Sequence, residues 1–304
     1  MELLQLKYFL ALSASEHLTR TAESLFITPS TLSVSISKLE KELGVPLFDR
    51  VGRNMHLNEY GEAFKKRVTA ALDSLSDAKK EVQEMVGGRE NQVMIALTSA
   101  AIWESSFSAF HASHPNIAIS IQPFRQNVFT DESVDLFIQS SAVECPPGWT
   151  FTVLVDDDVL LAVPPDHPLA KRKTVDLRDT KDEWFIGSLH DSPFRRYTDE
   201  LCRQVGFEPK CRLECDYMLR PRMCLSEKML SITTGLGVNS GLYKDTAILQ
   251  ITNPPCKRPQ AIYWRKARYL SHAAQELRDF LIEYYSHYDV KSYLKKGSRN
   301  FDAE

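Results

Sequence analysis

The sequence predicts an α+β winged helix-turn-helix at the N-terminus, a long linker helix, and an α/β region filling the rest of the chain. Three observations lead there. Two short helical apolar stripes flank a tight break between Leu18 and Leu43; apolar residues recur at coiled-coil spacing from Phe64 to Met85; and strands alternate with helices beyond Gly87 and Gly88.

At 304 residues the chain exceeds one ordinary core and suits two or three domains. With 43% hydrophobic and 25% charged residues it is neither disordered nor fibrous. No basic flank precedes an unbroken apolar run, and no apolar segment approaches the roughly 18 residues of a membrane span, which points to the cytoplasm and away from membranes. The net charge of −3 excludes a polycationic nucleic-acid coat but permits a local positive surface.

The elements follow in order. Leu3, Leu6, Phe9 and Leu10 share one face of a first helix over Leu3 to Ser13. Leu18, Ala22 and Leu25 mark a second, and Leu32, Ile36, Leu39 and Leu43 a third. Thr28 can cap the third helix, Pro29 suits its first position, and Gly44 tolerates the left-handed stop. Away from the core this helix presents Pro29, Ser30, Thr31, Ser33, Val34, Ser37, Lys38 and Lys41, short hydroxyls suited to base edges and lysines suited to phosphates. Leu47 to Leu57 then reads as a short hairpin with Gly52 at its tip, placing Arg50 and Arg53 where cations contact phosphates.

Asn58 can cap the next helix, in which Phe64, Val68, Ala71, Leu75, Ala78 and Val82 form a thin dimerisation seam. Beyond the glycines, strands are expected at Val93 to Leu97, Ile117 to Ile121, Val134 to Ile138, Trp184 to Ile186, Cys211 to Cys215, MLSITT, Ala247 to Ile251 and Ile262 to Trp264. Helices are expected at Ile102 to His111, Pro193 to Val205, Leu219 to Lys228 and Ser271 to Tyr285, with a loosely ordered tail from Val290. Six cysteines without a CxxC pair read as reduced and structural. His111 and His114 lack a third metal ligand nearby, and Asp156 to Asp158 read as a solvated connection. No nucleophile elbow, phosphate loop or paired-acid motif is present, so no catalytic residue, cofactor or metal is expected.

With these parts in this order, the chain resembles the LysR-type transcriptional regulators. The resemblance is carried by QLKYFLALSASEHLTRTAESLFITPSTLSVSISKLEKELGVPLFDRVGR, LNEYGEAF, VLLAVPPDHPLA and TTGLGV. It implies a winged DNA-binding domain over residues 1–58, a linker helix over 59–88 pairing two subunits, and an effector domain over 89–304. That domain would be periplasmic-binding-protein-like, with subdomain I at about 91–158 and 266–290, subdomain II at about 159–265, and crossings near Asp156 to Leu160 and Trp264 to Arg268.

The resemblance also implies dimers or tetramers on double-stranded DNA, with half-sites roughly 34 Å apart. Pro29 and Ser30 replace the family's usual Gln and Pro, and Val34 and Ser35 its Arg and Gln, removing bidentate base readers. Thr31, Ser33, Val34 and Lys38 remain the base-side candidates. The segment from Phe124 to Asp135 is shorter than usual, which leaves one cleft wall to a loop.

Around the interdomain cleft the resemblance places Thr98, Ser99, Arg125, Gln126, Ser192, Phe194, Arg195 and Thr233. Their hydroxyls, free N–H groups and arginines suit a small carboxylate effector. Peroxide-sensing members carry a cysteine pair nine residues apart, but Pro193 stands where the first would precede Cys202, and Cys202 with Cys211 fits only by a shifted register. The expected function is a sequence-specific transcriptional regulator modulated by a small molecule. The alternative is a binding protein or enzyme on the same scaffold that uses its N-terminal module only for association.

Overall fold

The computed structural model describes residues 1–51, 54–86, 91–123, 131, 133–140 and 145–296. It divides into two units, Met1–Val86 and Gly87–Glu304. Unit 1 contains α1 (Leu3–Ser15), α2 (Leu18–Ser24), α3 (Pro29–Leu43), β1 (Phe48–Val51), β2 (Asn54–Leu57) and α4 (Glu59–Met85).

Helix α3 starts and stops where its sequence signals it. The Thr31 amide donates to Thr28 Oγ1 at 3.2 Å, and Gly44 closes the helix at φ 75°. Leu32, Ile36 and Leu39 are fully enclosed against Phe9, Leu12 and Ala22. Two carboxylates tie the wing, the antiparallel β1–β2 pair, to the helices. Glu40 accepts from the Leu47 and Phe48 amides, at 2.8 and 3.3 Å, and Glu16 accepts from the Leu57 amide at 2.9 Å. That amide and His56 hold the Glu16 carboxyl below its usual range.

Asn58 Oδ1 accepts from the Gly61 amide at 2.9 Å and begins α4 as expected. The seam is divided. Phe64 and Val68 belong to the core of their own unit, a correction to their expected place against a partner helix. Their turns lie beside α1, which offers Phe9 within 5.2 Å of the Phe64 ring. Ala71, Leu75, Ala78 and Val82 stay exposed, Leu75 and Val82 at 58% each.

Unit 2 begins with β3 (Gln92–Leu97), α5 (Glu104–Ser113), β4 (Ala118–Pro123), β5 (Leu136–Ser140) and β6 (Trp149–Val155). Next come β7 (Val159–Val163), β8 (Thr174–Asp176), β9 (Trp184–Ser188), α6 (Pro193–Gln204), β10 (Lys210–Cys215) and α7 (Arg220–Ser226). The chain continues through β11 (Ser231–Thr234), α8 (Gly235–Asn239), β12 (Ala247–Asn253), β13 (Gln260–Arg265), α9 (His272–Ser286) and α10 (Tyr293–Lys296). One sheet runs β4-β3-β5-β13-β6, and a second runs β11-β7-β12-β8 with β10-β9 beside it. Parallel pairing of β3 with β4 and β5 satisfies the expected α/β layer, and α9 covers it with Ala273, Ala274, Leu277 and Leu281.

The second crossing is corrected. Strand β13 pairs with β5 and β6 of the first sheet, so the chain returns at 254–259 and not near Trp264 to Arg268. The first crossing lies at 156–158, as expected. Strand β6 was not foreseen; its Phe151 and Val153 are exposed at the sheet edge, so no buried apolar run announces it. The tail is corrected as well. Tyr293 is buried and donates to Asp158 Oδ2 at 2.8 Å, which docks the chain through 296.

Gly61 is a steric requirement of the turn that joins wing to linker helix. A Cβ there would lie 2.2 Å from the Leu47 carbonyl oxygen and 2.6 Å from Leu57 Cδ1. Gly61→Ala is therefore expected to destabilise unit 1 by about 1–3 kcal/mol. A urea midpoint equal to that of the unsubstituted chain would contradict this contact.

Candidate DNA-reading surface and effector cleft

With Leu32, Ile36 and Leu39 buried, α3 turns its other face to solvent. Pro29, Ser30, Thr31 and Lys38 are exposed, Ser33 is half-buried, and Val34 is 55% exposed. Thr28 Oγ1 lies 2.8 Å from both the Ser30 and Thr31 hydroxyls, so the first turn carries a preset cluster of hydroxyls. Arg50 lies in β1, paired with Met55, while Arg53, like the Gly52 tip, falls outside the described residues. One residue escaped the sequence reading. Phe26 occupies the α2–α3 turn at φ 56° and is 96% exposed, one position past the Leu25 stripe.

In unit 2 the two crossings run side by side. The Arg258 amide donates to the Asp157 carbonyl at 2.8 Å, and Asp158 bridges to Lys257. The Asp157 side chain then turns inward, where its Oδ1 accepts from the Leu236 amide at 2.9 Å at the start of α8. Its Oδ2 has no hydrogen-bond partner among the described residues. Burial pushes this carboxyl up to about 7, further raised by Asp158 and opposed by Thr234, Leu236 and Arg258. Leu236 itself enters the core of the first sheet beside Trp103, so α8 bridges the two sheets.

The expected site residues divide into those facing this junction and those engaged elsewhere. Thr98 is exposed at the end of β3, and Ser99 precedes a single helical turn, Ala100–Trp103, with its hydroxyl making no cap bond. That turn packs against α8. Ser192 Oγ caps α6 by accepting from the Arg195 amide at 3.0 Å. Phe194 lies between two guanidinium groups, with Arg220 Cζ 5.1 Å and Arg258 Cζ 5.0 Å from its ring centre.

Arg195 is corrected. It is buried, pairs with Asp199 at 2.8 Å and with Glu214, and so offers no free charge to a ligand. Thr233 is fully enclosed, its Oγ1 3.3 Å from the Tyr217 hydroxyl. Gly237 makes that approach possible, since a Cβ there would stand 1.6 Å from the same hydroxyl. Arg125 and Gln126 lie outside the described residues.

Sequence reasoning missed Tyr217, Arg220 and Arg258; the first two are three positions apart and the third is distant, and they share no motif. The cysteines and histidines take structural places. Burial pushes the Cys202 thiol up to about 12 and raises Cys211, keeping both protonated at neutral pH. His114 stacks on Phe110 and faces Glu276 at 3.3 Å. Among the described residues no group of three or more His, Cys, Asp or Glu is placed to hold a metal, and no helix is long and apolar enough to cross a membrane.

A winged module with a free polar face, on one chain with a two-sheet sensing domain, defines a ligand-responsive transcriptional regulator. Residues 3–62 match "Bacterial regulatory helix-turn-helix protein, lysR family", and residues 89–286 match "LysR substrate binding domain". The chain belongs to the LysR family, whose members are DNA-binding regulators with an effector domain and not enzymes.

Among its relatives, the uncharacterized HTH-type transcriptional regulator YybE of Bacillus subtilis is 30% identical over 94% of this chain and 100% of its own. The transcriptional dual regulator GltC of the same organism is 28% identical over 94% and 98%. Full-length BenM shares the fold with a TM-score of 0.55 at 22% identity, covering 94% of this chain and 97% of its own. CbnR complexed with its target DNA has a TM-score of 0.50 at 20% identity, covering 92% and 100%.

Asp157 makes stability depend on pH. Its carboxyl titrates near 7 in the fold and near the ordinary aspartate value when unfolded, so its stabilising contribution is complete in acid and lost as pH rises from about 4 to 7. Asp157→Asn keeps an acceptor for Leu236 without the buried charge. It is expected to raise the Tm of unit 2 by roughly 4 °C at pH 8 and by little at pH 4. Equal shifts at both values would contradict the assigned burial cost.

Proposed function

We propose that α3 enters the major groove of double-stranded operator DNA. Ser30, Thr31, Ser33, Val34 and Lys38 face bases and nearby phosphates, Pro29 sets the entry of the helix, and Arg50 and Arg53 hold the backbone from the wing. The observation that carries this is the division of α3 into an enclosed apolar face and a solvent face of small polar groups. The exposed strip Ala71, Leu75, Ala78 and Val82 pairs two subunits through α4, which matches a dimer, or a tetramer of two such pairs, to a symmetric site. Regulation takes place on cytoplasmic DNA.

The effector is a small carboxylate held where the two sheets of unit 2 meet. Thr98, Ser99, Ser192 and Phe194 line its site, Thr233 stands behind Tyr217, and Arg125 and Gln126 are further candidates for contact with it. The effector acts by binding one arrangement of the two subdomains more tightly than another, the only way a ligand shifts such an equilibrium.

Two substitutions separate the reading surface from the sensing site. Val34→Asp sets a negative charge toward the DNA and is expected to weaken operator binding at least about tenfold, roughly 1.4 kcal/mol, in a gel-shift assay. Its Tm should not change, because Val34 is already solvated; retained affinity would remove α3 from the groove. Ser99→Ala is expected to bind operator DNA normally yet lose its response to the effector, and an unaltered response would remove Ser99 from the site.

A further inference from the structure

The junction of the two sheets holds two guanidinium groups, and neither is paired with a carboxylate. Arg220, 2% exposed, donates from Nη1 to the Ile232 carbonyl at 3.1 Å, and its Nε has no partner. Arg258, 8% exposed, makes no side-chain hydrogen bond or ion pair with any described residue. Asp157 is the acid that acts on Arg258, through space and without a hydrogen bond, while its Oδ1 serves the α8 amide. Asp158 faces Tyr293 and Lys257, and Asp216 accepts from the Met218 and Leu219 amides. Buried like charges that flank one ring destabilise the empty protein and persist where a counter-charge arrives from outside.

We infer that Arg258 anchors the effector and that the effector is a small dianion, one anionic group forked by Arg258 against Phe194 and the second charge balanced by Arg220. This rests on the cleft reading above and names the ligand class of that site. Arg258 is suited to the role by position as well as charge. It lies in the return crossing and its amide holds the outgoing one, so an anion drawn to its guanidinium acts on the segment about which the sheets reorient.

Two sources of such a dianion, dicarboxylates and phosphates, are separated by the probes. Thermal unfolding of the full chain at pH 8 and constant ionic strength is followed against succinate, inorganic phosphate, and butyrate, which has the chain length of succinate and one charge. Saturable stabilisation by succinate identifies a dicarboxylate and by phosphate a phosphate, with butyrate at least tenfold weaker. Arg258→Gln is expected to weaken the effective dianion about 10- to 100-fold while leaving the ligand-free Tm unchanged or raised, since it removes an unpaired buried charge. Arg258→Lys retains the charge without the fork and falls between.

The inference is overturned if neither dianion gives an Arg258-dependent response, if butyrate equals the dianions, or if Arg258→Gln merely lowers the ligand-free Tm. The cleft reading is checked separately by gel shift. Arg258-dependent binding that leaves operator affinity unchanged refutes the regulatory role of the cleft and keeps the anion site. Loss of effector response in Ser99→Ala, with anion binding intact in Arg258→Gln, does the reverse.

Discussion

The backbone bond from the Arg258 amide to the Asp157 carbonyl joins two of the described segments that pass between the sheets of unit 2, and much of the effector domain depends on it. Because β13 returns to the first sheet between β5 and β6, that sheet is completed by residues that have already traversed the second. The first sheet is therefore complete only after the chain has passed through the second, which is built from one continuous stretch, 159–253. Two short crossings, bridged antiparallel at Asp158 and Lys257, are the form a hinge takes.

That arrangement explains the electrostatics. A carboxyl and a guanidinium are carried inward on adjacent crossings, yet the carboxyl is directed to the helix start at Leu236 and the guanidinium to the Phe194 ring. Each meets a partner suited to its charge, but the two do not form an ion pair. The outcome is an aspartate easily protonated and an arginine held down to about 10 by burial, still cationic at neutral pH. An interior with this imbalance is less stable than an apolar one and better prepared to receive an anion.

In unit 1 the same economy of polar groups serves rigidity. Glu16 and Glu40 each accept backbone amides of the wing, so a two-stranded hairpin too small to stand alone is fixed to the end of α1 and to α3. Phe64 and Val68 anchor the first turns of α4 in that core, and the apolar strip that follows is left for another surface.

Periodicity and caps determined the winged module unaided: the limits of α3, the cap at Thr28, the stop at Gly44, the wing and the start of α4 all follow from local rules, because each depends on residues within a few positions of one another. The alternating α/β order of unit 2 was legible for the same reason, apart from strands such as β6, whose Phe151 and Val153 face solvent. What tertiary structure decided were matters of long-range pairing. The sheet that claims β13, the docking of Tyr293, the pairing of Arg195 with Glu214, and the meeting of Phe194, Arg220 and Arg258 join residues from 19 to more than a hundred positions apart. No local pattern encodes which distant charge remains without a counterion; only the folded chain brings the candidates together and leaves one of them unpaired.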